Sequence, residues 1–236
     1  MSDPDATRLR TGLIDGIRES RAAEREVFGA LDPAQREAPG RDGGWSAKDT
    51  LAHLAVWRQR GAERVAAHRE GEDDPGAQEP GIDETNARLH AERADWTWDR
   101  VVADADASAE AFIAEVSAAS DDTITDPKVI GFILGDGAEH DLGHLPQFAA
   151  GVGLEGRVLG LADAHLAAID RGGWPERQAA VARYNLACFH ALAGNLDVAR
   201  SLLRQALPGH DDLLTLAPTD DDLIAVRYEI PVLAEG

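Results

Sequence analysis

His140 and His144 stand four residues apart in the stretch Glu139-His-Asp-Leu-Gly-His-Leu-Pro-Gln147. On an α-helix this spacing stacks two rings one turn apart on one face, which is how a helix offers two imidazoles to a single metal ion. Gln147 extends the same face. His53 lies on a second helical stretch that can face the first across the interior of a bundle. Three imidazoles and a water make an open coordination site of the catalytic kind, not a closed structural one. The chain holds eight histidines, so a pair at this spacing also arises by chance, and the alternative is two packed side chains. His165, His190 and His210 lack ligand spacing and read as structural.

The neighbours of these histidines have two readings each. Asp49, one turn before His53, either accepts from its imidazole or serves the helix end. Asp136, one turn before His140, poses the same choice. Trp57 either walls a pocket beside His53 or packs in the core. Trp45, before the helix start, reads as a hydrophobic staple. Cys188 is the only cysteine; it reads as a packed small apolar residue, and its solitude excludes an intramolecular disulfide and a thiolate-rich zinc site. No Gly-rich phosphate loop, G-x-S-x-G elbow or HExxH motif is present, and no residue is singled out as catalytic.

Helices must position these groups. Leu9, Leu13, Ile17, Val27, Phe28 and Leu31 recur at helical spacing from about Thr7 to Leu31. A turn-rich connector, Ala38 to Gly44, follows. Ser46 with Asp49 three residues on marks the clearest helix start, and Leu51, Leu54, Ala55, Ala62 and Val65 form its stripe. Arg69 to Gly81 reads as a solvated loop. A third helical region spans Ile82 to Ala119, with a break near Asp95–Asp99 where Thr97 can cap a new helix. The fourth runs from about Phe132 to Val152. No strand signal is convincing, so the expected fold is all-α: an antiparallel four-helix bundle over residues 1–154, then a smaller helical domain over 155–236. In the latter, helices are expected at Leu161–Ile169, on both sides of a turn at Gly194-Asn195, and from Asp220 to Val226.

Composition bounds the function. Apolar residues make up 44% of the chain, enough for a core, and the net charge is −20. Such a surface repels phosphate backbones and anionic lipid, which argues against nucleic-acid and membrane partners. The start of the chain carries no secretory signal and no apolar stretch is long enough to span a bilayer, so a cytoplasmic protein is expected.

Two resemblances add to this reading. The C-terminal pattern, with Ala187, Gly194, Ala199 and Ala206 at small-residue positions, resembles a tetratricopeptide repeat. His190 stands where that family has an aromatic, and Pro208 comes early. The stretch Gly44-Trp-Ser-Ala-Lys-Asp-Thr-Leu-Ala-His-Leu-Ala-Val-Trp57, with the HxxxH pair, resembles the DinB/YfiT-like superfamily over about residues 7 to 152. Asn86 to Asp99 and the following Ala-Ser-Ala-Glu-Ala-Phe are closer to its ClbS/DfsB branch. Two departures bear on the site. Arg58 stands where many relatives carry an acid, and Pro146 removes a backbone donor within the fourth helix.

The resemblance implies that His53, His140 and His144 bind a divalent metal, zinc or nickel; helical spacing places Asp49, Trp57, Asp136 and Gln147 around them. It implies an enzyme acting on a small electrophile, by S-transfer from a low-molecular-weight thiol such as mycothiol or by a related isomerisation, in detoxification, self-resistance or secondary metabolism. A metal-free hydrolase opening a strained ring, as in the ClbS-like branch, is the alternative. A non-enzymatic binding protein that uses the repeat block, for example as a homodimer, is another.

Overall fold

Short polar motifs set where the main helices begin. The computed structural model describes residues 3–40, 44–77, 79–172 and 174–235, with the side chains of Pro146, Gln147, Ala150, Glu155 and Leu161 outside that description. Helix α1 (Pro4–Gly29) starts at Asp3, whose carboxylate accepts from the Asp5 amide, with Pro4 in the first turn. A single turn, α2 (Pro33–Glu37), precedes α3 (Ala47–Glu70). The start of α3 is the capping box expected from the sequence: Ser46 accepts from the Asp49 amide, and Asp49 accepts from the Ser46 amide. Its end is Gly71 at φ +74°, a left-handed position that glycine takes without strain. Thr97 accepts from the Arg100 amide and opens a new helix, so the Ile82–Ala119 region divides into α4 (Ile82–Ala91) and α5 (Trp98–Ala118).

The fourth helix begins earlier than expected and is interrupted. After one turn, α6 (Asp121–Ile124), comes α7 (Pro127–Ile133), then a π-helical turn over Leu134–Ala138, then α8 (Glu139–Val152). Gly137 leaves helical geometry at φ −120°, ψ −115°, which kinks the axis. The kink therefore lies before the histidines, and α8 stays helical through Pro146, where the sequence suggested a bend. Packing accounts for the choice of site: a Cβ at position 137 would stand 3.2 Å from Phe112 Cε1, so this stretch of backbone presses on a buried aromatic ring.

The most extensive helix pair is α3 with α5, while α1 packs on α5 and α7 on α3. Gly61 makes the close approach possible, since a Cβ there would lie 2.6 Å from Phe112 Cζ. Leu13, Ile17, Leu51, Leu54, Phe112, Ile130, Ile133 and Leu145 fill the centre. Among the described residues no strand is present, and no helix is long and apolar enough to cross a membrane. The all-α expectation holds.

Helix α9 (Glu155–Gly172) lies along α1, and α10 (Glu176–Leu192) packs on α8. Helix α11 (Leu196–Ala206) folds back on α10 through Gly194 at φ +79°; Ala187, Ala199 and Ala206 are fully buried where the pair meets other side chains. Beyond α12 (Asp211–Leu216) the structure departs from expectation. The segment Asp220–Val226 forms a 3₁₀ turn, Asp221–Leu223, and no α-helix; the last helical turn is α13 (Ile230–Leu233). Asp220 explains this. Its carboxylate accepts from the Asp222 amide at 3.0 Å and from the Tyr184 hydroxyl at 2.7 Å, which pins the segment to α10 in a turn.

Candidate metal centre

Helix α3 delivers His53 and α8 delivers His140 and His144, and their ring nitrogens converge. The Nε2 atom of His53 lies 2.9 Å from Nε2 of His140 and 3.2 Å from Nε2 of His144. One nitrogen from each of the three lies within 4.8 Å of the other two. Ligand nitrogens around a tetrahedral zinc ion, at 2.0–2.1 Å from it, are separated by about 3.3 Å. The three imidazoles thus sit at the spacing of a shared first-row ion and could hold a metal.

Electrostatics keeps them ready for it. Burial, and then the neighbouring His144, pushes His53 down to about 3. Burial leads again for His140, with His144, His53 and the Arg58 guanidinium adding to the shift, and that ring is held well below the usual histidine range. His144 is lowered by burial. Neutral imidazoles have no proton to lose before coordinating. The Gly135 carbonyl, in the π-helical turn, opposes the His140 shift without reversing it.

The remaining expected residues have mixed positions. Trp57 stands edge-on to His53, with ring centroids 6.2 Å apart, and lies 5.7 Å from His140; its Nε1–H donates to Asn86 at 3.1 Å. Asp49 serves the helix end and meets Nε2 of His90 at 3.3 Å, so its bonds run to Ser46 and His90 and not to His53. Asp136 pairs with Arg64 at 3.0 Å and not with His140; burial, opposed by Arg64, raises its carboxyl. The side chain of Gln147 lies outside the described residues.

Trp45 does more than staple the helix. Its ring lies 4.6 Å from His53 and stacks on His90 at 5.7 Å with 6° between the planes. Trp45, Asp49, Leu89, His90 and Arg93 line a small pocket to which His53, alone of the three histidines, contributes. Helix α4 covers this side, held by Asn86 on Trp57, His90 on Asp49, and Leu89 against Val56 and Trp57 in a cluster separate from the main core. Neither Trp45 nor His90 carried a ligand-like spacing in the sequence, and only the α3–α4 packing joins them to the site.

A second polar cluster adjoins the centre. Arg58 is fully buried; it bonds Glu24 through two nitrogens, reaches Asp141 at 3.4 Å and donates to Ser108 at 3.4 Å. Arg21 binds the same Glu24 at 2.8 Å and also Asp106. Burial, and then Glu24, pushes the Asp141 carboxyl well above the usual range. Arg58, noted in the sequence for its unusual position, is thus neutralised by Glu24 from α1, a partner that no local pattern could name.

Residues 17–151, more than half of the chain, match the family model described as DinB superfamily. No curated protein and no solved structure gives a significant match. The match spans the four helical segments that build the centre and includes all three histidines, and on this basis the chain belongs to the DinB superfamily.

Proposed function

We propose that this protein is a divalent-metal-dependent enzyme acting on a small electrophilic molecule, with transfer of a low-molecular-weight thiol as its reaction. The observation that carries the proposal is the convergence of three neutral Nε2 atoms at metal-ligand spacing beside a pocket. When bound, a zinc or nickel ion on three imidazoles keeps an open position that favours the anionic form of a thiol or water, the actual nucleophile. The chain's own residues supply the rest. Trp57 and Trp45 wall the space around His53, and α4 packs against that side through Leu89. The negative surface, with a net charge of −20, favours neutral or cationic substrates over polyanions.

Elemental mass spectrometry of the purified chain, followed by a screen of thiols against electrophiles, tests this reading. Loss of one zinc or nickel per chain, together with loss of turnover, in the His53→Ala/His140→Ala/His144→Ala variant is the expected result. Turnover that survives in that variant would instead favour the metal-free hydrolase.

A second reading concerns the C-terminal helices. Ile224, Tyr228 and Val232 are 64%, 95% and 72% exposed, an apolar set that favours self-association through a tetratricopeptide-like block. A size measurement of the full chain against an Ile224→Asp/Tyr228→Asp variant distinguishes a dimer from a monomer.

A further inference from the structure

A cavity of about 220 Å³ lies between α8 and α10, along a face of α8 other than the one bearing the histidine rings. Glu139, Tyr184, Cys188, Asp220 and Asp222 line it, together with apolar side chains. Ligand atoms of Cys188, Asp220 and Asp222 lie within 4.8 Å of one another. The thiol Sγ stands 3.7 Å from Oδ2 of Asp220. A sulfur and an oxygen bound to one tetrahedral zinc ion are separated by about 3.6 Å. The Tyr184 hydroxyl and the Asp222 amide both donate to Asp220, which holds that carboxylate in place, as outer hydrogen bonds do around metal ligands.

The cavity lacks positive charge. Among the described residues, no arginine, lysine or histidine makes an ion pair with the side chains of Glu139, Asp220 or Asp222. Arg227, the nearest cation in sequence, bonds the Asp220 backbone carbonyl and the Asp221 carboxylate. Glu139 Oε1 is enclosed at the cavity wall with no hydrogen-bond partner, a buried polar atom that a cation's bound water would satisfy. Burial and the nearby acids push the Cys188 thiol up, so without a cation it keeps its proton.

We propose that Cys188, Asp220 and Asp222 form a second divalent-cation site, taking a thiophilic ion such as zinc or cadmium, with the Glu139 carboxyl facing the ion's remaining water across the cavity. Binding releases the Cys188 proton to solvent as the thiolate–metal bond forms. The site is independent of the three-histidine centre, because no residue is shared.

Cadmium titration of the full chain tests this, read by the thiolate-to-cadmium charge-transfer absorption in the ultraviolet. The band reaches the same amplitude in the wild type and in the His53→Ala/His140→Ala/His144→Ala variant, and in the variant, where the histidine centre cannot compete, it saturates at one cadmium per chain. Cys188→Ser abolishes it, and Asp222→Asn weakens cadmium binding roughly tenfold or more. Should Cys188→Ser fail to fold, the wild-type band and the Asp222→Asn and Asp220→Asn variants still decide. Absence of the band in the folded wild type overturns the proposal. So does a band that keeps its affinity in both aspartate variants, since the ion would then be held by the thiolate alone.

Discussion

Two buried polar clusters share the same pair of helices and resolve in opposite ways. Helix α3 contributes His53 to one and Arg58 to the other; α8 contributes His140 and His144 to one and Asp141, the very next residue, to the other. In the Arg58 cluster, guanidinium donors meet carboxylate acceptors, and Arg21, Glu24 and Asp141 complete the pairing from within the chain. In the histidine cluster, three imidazole nitrogens converge on one another and bring no counter-charge. A cluster whose charges cancel internally reads as structural, while one whose imidazole nitrogens converge with no charge to cancel reads as a ligand set. The Cys188–Asp220–Asp222 group lies between the two kinds: its thiol donates to Asp220, yet no ion pair among the described residues cancels the charge of Asp220 or Asp222.

The comparison can be broken most forcefully at Arg58. Arg58→Met leaves Glu24 buried without its main partner and is expected to cost roughly 3–5 kcal/mol in urea unfolding, with part of it restored in Glu24→Gln/Arg58→Met. A cost below about 1 kcal/mol would mean that the cluster is solvated and not internally closed. For the histidine centre the prediction runs the other way. In a Cys188→Ser background, zinc at a thousandfold the dissociation constant of the histidine centre should raise the unfolding free energy by about 4 kcal/mol, and adding His140→Ala should remove that gain.

His165 sharpens the contrast, being a buried histidine whose Nε2 has neither charge partner nor hydrogen bond. Burial lowers it to about 4, against roughly 6.5 in an unfolded chain. Its folded pKa is depressed, so above about 6.5 neither state binds the proton and stability is unaffected. As pH falls from there to about 4 the unfolded state takes up the proton first, and roughly 3 kcal/mol is lost. Replacing it by leucine should flatten that part of the pH–stability curve, measured by denaturant titration at several pH values. The smallest effect is expected at Gly61→Ala, whose Cβ would meet Phe112 at 2.6 Å and Asp136 at 2.9 Å. A loss of about 1–3 kcal/mol is expected, where an ordinary helical glycine-to-alanine change would stabilise.

Much of this protein follows from local sequence rules. The Ser46–Asp49 box, the Thr97 start, the turn at Gly194 and the i, i+4 placement of His140 and His144 each depend on residues within one helical turn, where geometry is set by the backbone itself. That range is enough to place the helices and to bring two of the three candidate ligands onto one face. The joining of His53 to that pair rests on packing, and so does everything that distinguishes the site from a chance pair. The π-helical turn that precedes His140 arises where Gly137 meets Phe112, a residue 25 positions away. Glu24 reaches Arg58 across 34 positions, and Asp220 reaches Tyr184 across 36. Local propensity is blind to such pairings because their energy exists only once a common core has excluded water and brought distant helices together. The sequence by itself determined where helices start and which faces are apolar or carry imidazoles; the tertiary structure alone decided which buried charges are cancelled within the chain and which lone pairs are left to meet a metal ion.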